Sequence, residues 1–217
     1  MRIAAALSGL LICLCFSGAA QVSDFAGTDF ARSDSVAALY NDYSLKDLKG
    51  LADKLTIPFT TEQEKFRAIF KWVCNNVEVD YDLVLMHQQR RHKLRGEKLT
   101  KWNKVFNRKV FDVLVREHKT VCTGFAYLVR ELSFHAGLTC HVVNGFANPR
   151  GVTYGSESLI NHSWNEVRLN GAWYVCDATW SSGIYDRSQD RFVRKFNETW
   201  FLQERQAFDV QHKRLDR

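Results

Sequence analysis

The sequence predicts an α+β domain, with helices first and an antiparallel sheet closing the chain. Up to Gly137 the apolar positions recur at helical spacing, and beyond it they alternate with a period of two. Asn170-Gly171 lies between two such alternating runs, the strongest short signal for a two-residue hairpin. No repeat or low-complexity stretch interrupts this order, which is that of an α+β chain.

Taken in order, Ser44-Leu45-Lys46-Asp47 reads as a capping box, followed by Leu48, Leu51 and Leu55 at helical spacing with Leu45. Thr61-Glu62-Gln63-Glu64 is a second box, and Phe66, Ile69, Phe70 and Val73 make the helix after it amphipathic. Asn75-Asn76 ends that helix, and 77–82 reads as a short extended piece. A basic stretch follows, helical in part, with Gly96 as its break; Phe111, Val113, Leu114 and Val115 return to the core. Phe125, Leu128, Val129 and Leu132 mark a third helix over 122–136, with Gly137 as its C-terminal stop. Strands are expected over 139–146, 163–169 and 172–179.

The first residues read as a secretory signal rather than as fold. Met1-Arg2 is a positive start, 3–16 is almost wholly apolar, and Ser17-Gly18-Ala19-Ala20 supplies small residues for cleavage after Ala20. A lipoprotein reading of Cys13 or Cys15 is disfavoured, because Ile12 and Leu14 stand where a small residue is wanted. No later stretch nears the ~20 apolar residues that span a bilayer. The expectation is a secreted or periplasmic protein without a transmembrane segment. A hydrophobic content of 46% and only two prolines fit one compact domain.

Charge is uneven. Residues 87–109 hold nine Lys or Arg against the single Glu97, an excess larger than the whole chain's formal +6. Such a run reads first as a solvated face, and second as a rim for acidic protein or an anionic envelope surface. Nucleic acid is not expected, since no reading motif accompanies the charge. No metal or cofactor is expected either: His87 and His92 are five apart without Cys or carboxylate neighbours. Asn161-His162-Ser163 and Asn197-Glu198-Thr199 match glycosylation acceptors, and a glycan on Asn161 would crowd His162. A bacterial source is the simplest expectation.

The chemistry follows from the hairpin. A two-residue turn makes Leu169 face Ala172, so Arg168 faces Trp173, Glu166 faces Val175, Trp164 faces Asp177 and His162 faces Thr179. Residues two apart on a strand share a face, so His162 and Asp177 become diagonal neighbours, while Cys176 points away. A carboxylate beside an imidazole fixes its tautomer and steadies its charged form. Cys122 opens the third helix, where the dipole and unpaired N–H groups lower a thiol's pKa and can hold an oxyanion. Cys122, His162 and Asp177 are the expected catalytic residues. Cys74, Cys140 and Cys176 are the other cysteines beyond the signal, and their pairing stays open.

Around these positions, Val121-Cys122-Thr123-Gly124-Phe125-Ala126 resembles the nucleophile motif of transglutaminase-like domains. His162-Ser163-Trp164-Asn165 and Gly171-Ala172-Trp173-Tyr174-Val175-Cys176-Asp177-Ala178-Thr179-Trp180 are similar to that superfamily's histidine and aspartate segments. Phe66–Trp72, Asp80-Tyr81-Asp82, Trp200-Phe201-Leu202, Phe208 and His212 extend the likeness over 62–212, toward the branch that includes kyphoscoliosis peptidase. The resemblance implies a papain-like fold with Cys122 as nucleophile, His162 as base and Asp177 as its orienter. It implies a catalytic domain over 61–217 after an N-terminal helical segment over 21–60. Members of this branch run on past the position of His212, so a shortened or replaced last edge is expected. Tyr81, Gln88 and Gln89 stand as possible second oxyanion donors. The implied activity is a thiol peptidase or amidohydrolase acting on protein or peptide amides; a crosslinking transglutaminase and a non-catalytic protein-binding module are the alternatives.

Overall fold

The computed structural model describes residues 24–148, 161–186 and 188–215. The expected signal segment, with Cys13 and Cys15, lies outside them. Three helices come first: α1 (Ala31–Leu39), α2 (Leu48–Thr56) and α3 (Glu62–Asn76). Helix α3 starts where its box predicts, with the Glu64 N–H donating to Thr61 Oγ1 at 3.4 Å. Helix α2 does not. Its cap is Asp47, which accepts from Gly50 N–H at 2.9 Å, while Ser44 caps only the turn before it, at Lys46 N–H. The ionised Asp47 is the stronger acceptor, and Leu45 is buried ahead of the helix rather than within it.

Phe66, Ile69, Phe70 and Val73 of α3 are fully buried, as their spacing requires. So is most of Arg67, whose side chain is 4% exposed. Its guanidinium donates to Asp34 of α1 at 2.6 and 2.9 Å and to Glu198 at 3.0 Å, among the rings of Phe30, Phe196 and Phe201. One buried cation thus ties α1 and α3 to a segment far along the chain.

Strand β1 (Glu78–Val79) pairs in parallel with β2 (Lys119–Thr120), and α4 (Tyr81–Lys93) and α5 (Gly96–Glu117) form the excursion between them. The extended piece expected over 77–82 is cut short because the Asp80 carboxylate accepts from Leu83 N–H at 2.9 Å and starts α4. The break falls at Gly96, which has φ +50°. Helix α6 (Cys122–His135) stops at Gly137, φ +75°, with Leu138 N–H donating to Ser133 O at 2.9 Å and Gly137 N–H to Phe134 O at 3.1 Å.

The sheet comprises β3 (Thr139–Ala147), β4 (His162–Leu169) and β5 (Ala172–Cys176). Beyond them run α7 (Ala178–Ser182), the hairpin β6 (Gly183–Asp186) and β7 (Arg191–Arg194), α8 (Arg205–Asp209) and β8 (His212–Arg214). The four-stranded order is β5-β4-β3-β8, antiparallel throughout, with β8 as a short edge. Asn170 and Gly171 have φ +50° and +87°, the pair a type I′ turn needs, and Leu169↔Ala172, Arg168↔Trp173 and Glu166↔Val175 pair as counted. One expectation fails: β5 ends at Cys176 instead of running to 179. Asp177 leaves the ladder because its carboxylate accepts from Thr179 N–H and Trp180 N–H, at 2.9 and 3.1 Å, and so caps α7. Phe66 and Phe70 of α3, Phe125 and Leu132 of α6, and Val167 and Leu169 of β4 share the main core.

Candidate active site

Strand β2 delivers the chain to Val121, whose extended backbone (φ −103°, ψ 174°) precedes the first turn of α6. The first capping bond of that turn runs from Gly124 N–H to Val121 O at 2.8 Å, so the N–H groups of Cys122 and Thr123 precede it. Gly124 lets α6 lie against β2. A Cβ there would fall 1.9 Å from Thr120 Oγ1 and 2.8 Å from its Cβ, and Thr120 is fully buried. Gly124→Ala is expected to cost about 1–3 kcal/mol through this clash, measured as a lower urea midpoint.

Two polar ties set α6 over the sheet. Asn165 of β4 is fully buried and donates to Ala126 O at 2.9 Å and to His141 O at 3.3 Å. Thr123 Oγ1 lies 3.4 Å from Ser163 Oγ, which donates to Asn144 Oδ1 at 2.8 Å. These bonds explain the polar positions after His162: they place the start of α6 above the start of β4.

His162 and Asp177 meet as the hairpin predicts, with Nε2 and Oδ2 2.6 Å apart. Asp177 is nevertheless a helix cap, not a strand residue; Oδ1 holds α7 while Oδ2 takes the imidazole. With Nε2 so engaged, Nδ1 is the nitrogen left for Cys122. Burial alone would push the Cys122 thiol up, but the charge of His162 and hydrogen bonds from His162 and the Ser163 backbone hold it below its ordinary value. Burial would lower His162, yet the charges of Asp177 and Cys122 raise it to about 10. Asp177 is fully buried; the charges of His162 and His212 and their hydrogen bonds overcome that burial and hold its carboxyl far below the usual range.

The other three thiols move oppositely. Cys74, Cys140 and Cys176 are buried and free, and desolvation pushes Cys140 up to about 12 and the other two well above an ordinary thiol. Cys122 is partly exposed.

His212 joins the site although neither spacing nor the hairpin count pointed to it. It is fully buried, and its Nε2 lies 3.0 Å from Asp177 Oδ2, the oxygen that also meets His162. Its only sequence signal was the aromatic-rich tail it shares with Trp200 and Phe208. His162, Asp177 and His212 are also the one group among the described residues whose donor atoms are spaced for a cation. A cation there would have to displace the protons that both imidazoles place on one carboxylate oxygen. Of the residues considered for a second oxyanion donor, Tyr81 stacks on Tyr185 at 4.0 Å, and Gln88 and Gln89 are exposed on α4. Arg91 of α4 is half-buried near enough for its charge to interact with Cys122.

The family model described as the transglutaminase-like superfamily matches residues 49–178. The chain belongs to the transglutaminase-like superfamily. Over 154 residues it is 31% identical to human kyphoscoliosis peptidase, covering 70% of this chain and 21% of that protein. Over 157 residues it is 27% identical to hillarin of Drosophila melanogaster, covering 71% of this chain and 17% of that one. The chain spans about a fifth of the length of these relatives. Among solved structures, a candidate cysteine protease from Cytophaga hutchinsonii matches with a TM-score of 0.40 and 22% identity, over 62% of this chain and 37% of that one.

The papain-like transglutaminase fold expected from the sequence is thus the fold of the chain, and kyphoscoliosis peptidase, the branch expected within it, is among the relatives the chain is similar to. Each superfamily motif acquires a physical reason here. Gly124 permits close packing on Thr120, Asn165 ties helix to sheet, and Asp177 caps α7 while facing His162.

Proposed function

We propose that the protein is a thiol hydrolase of peptide or isopeptide amides, with Cys122 as nucleophile. The carrying observation is the contrast among the thiols of the described residues: of these, Cys122 alone is held low, beside an imidazole that a buried carboxylate keeps charged. In this reading the Cys122 thiolate attacks the amide carbon and a C–S bond forms. The oxyanion faces the N–H of Cys122 at the positive end of α6. His162 gives its proton to the departing amine as the C–N bond breaks, leaving an acyl-enzyme. Water then attacks with His162 taking its proton, and the thiolate is released with the acid.

Limiting iodoacetamide between about pH 5 and pH 8, below the ordinary thiol range, tests this. Cys122 is expected to take the label first at low pH, and to lose that preference in His162→Ala. Labelling of Cys122 no faster than of Cys74 or Cys140 would sink the proposal and favour a protein-binding module. The same acyl-enzyme resolved by an amine would make a crosslinking transglutaminase. That reading predicts a product heavier by the added amine, and hydrolysis with amine in excess rejects it.

Export completes the reading. The apolar start and the small residues before Gln21 support removal of 1–20, and the mature chain is expected to begin at Gln21 by intact mass. A full-length mass would overturn it. Among the described residues no helix is long and apolar enough to cross a membrane. The Asn161 side chain accepts from Ala147 N–H at 2.8 Å and donates to Ala147 O at 3.2 Å. A glycan there would break both bonds, which fits a source that does not glycosylate the protein.

A further inference from the structure

We propose that His212 is a positioning residue of this site, extending it to a hydrogen-bonded chain of Cys122, His162, Asp177 and His212. The inference rests on the thiol-hydrolase reading for its kinetic arm alone. A buried histidine is often only a filler of the core. What distinguishes this one is the atom it chooses. Its Nε2 lies 3.0 Å from Asp177 Oδ2, the same oxygen that His162 Nε2 reaches at 2.6 Å. With Thr179 N–H and Trp180 N–H on Oδ1, the carboxylate has four N–H partners and neither oxygen is free to turn.

The sheet accounts for the arrangement. Gly145 of β3 pairs with His162 on one side and with Arg214 on the other, while Ala147 pairs with His212. His212 therefore shares the face of His162, two positions along. Gly145 has no side chain, and a Cβ there would stand 2.2 Å from Lys213 O and 2.6 Å from the Trp164 ring. That gap lets β8 and Trp164 close over the site. The His212 ring is stacked on Phe208 at 3.8 Å and walled by Trp180, Trp200 and Trp164 at 4.5, 5.5 and 5.1 Å. Its Nδ1 faces Phe208 O at 3.3 Å, so the ring is aimed at both ends.

Each donor on Asp177 draws off charge that would otherwise pull on the His162 proton. His212 therefore moderates the imidazolium and fixes the carboxylate opposite it. The other titratable groups near these residues are Cys122, the neutral thiols Cys74 and Cys176, Arg91 beyond Cys122, and Asp209, whose charge interacts with His212. None of these donates a hydrogen bond to Asp177 Oδ2.

The test uses His212→Phe, which fills the space without a donor, and His212→Gln, which restores an N–H near Nε2. A ¹⁵N-NMR titration of His162 needs no substrate. In His212→Phe it is expected to shift upward by about one pH unit, with the His212→Gln titration near that of the parent. The kinetic arm expects kcat to fall roughly ten- to a hundredfold in His212→Phe, the scale of a small misplacement, with KM little changed and His212→Gln recovering most of it. An unchanged His162 titration in a folded His212→Phe protein would overturn the proposal. So would His212→Gln behaving like His212→Phe, which would leave packing as its whole role. If no amide is hydrolysed by any form, the hydrolase reading fails while the titration still decides this one.

Discussion

Asp177→Asn is expected to lower kcat/KM by about four orders of magnitude, the scale seen when the carboxylate behind a catalytic imidazole becomes an amide. The geometry makes the substitution severe. Oδ2 faces the Nε2 atoms of His162 and His212, and Oδ1 faces the N–H groups of Thr179 and Trp180. An amide NH₂ at either position meets donors with donors. His162 would then turn its other tautomer toward Cys122, and the thiol would lose its charged partner. The pH profile should change with it. If the parent works as proposed, its activity needs thiolate and imidazolium together, and the expected profile is a bell whose acid limb lies below an ordinary thiol and whose basic limb lies near 10. Stability carries the same sign. His162 is raised, so its contribution is present below its unfolded pKa of about 6.5 and is lost as pH rises through about 10. The stability gap between parent and Asp177→Asn should therefore narrow above that pH. A variant with parental kcat/KM and an unchanged profile would rule out a catalytic Asp177.

Removing both acids around Arg67, as Asp34→Ala with Glu198→Ala, is expected to destabilise the fold by about 3–5 kcal/mol. The guanidinium would be left among Phe30, Phe196 and Phe201 at 4% exposure with no carboxylate. Lys71, which approaches Asp34 at 3.3 Å, loses a partner too. Arg67→Met should cost less, because Asp34 and Glu198 are 29% and 61% exposed and water can solvate them once the arginine is gone. Urea denaturation of the three proteins checks the order. If Arg67→Met were the worse variant, the energy would lie in packing of the long side chain rather than in the buried charge.

Much of this was legible in the sequence where a local rule sufficed. The Asn170-Gly171 turn needs positive φ at both residues and so fixed the register that brings His162 toward Asp177. Thr61 and Gly137 bounded α3 and α6 because capping is decided within four residues. The misreadings at Ser44, at 77–82 and at 172–179 have one cause. In each, an aspartate (Asp47, Asp80 or Asp177) captures nearby N–H groups and starts a helix where hydrophobic pattern alone gives a boundary elsewhere. The long-range pieces were not legible in the same way. His212 reaches Asp177 from 35 residues on and Glu198 reaches Arg67 across 131, and no periodicity encodes such pairings.

The dispersed origin of the site makes the proposed nucleophile answerable to the progress of folding. Cys122 enters from a helix, His162 and Asp177 from the two ends of a hairpin, and His212 from an edge strand further along the chain. A chain still being synthesised has the thiol but not the imidazolium or the carboxylate that sharpen it, so Cys122 is then an ordinary cysteine among the others. On the proposed reading, selective reactivity at Cys122 begins once the hairpin has brought His162 and Asp177 together, and it is tuned when β8 docks. On that reading the reactivity of that one sulfur is a readout of whether a molecule has reached its native state.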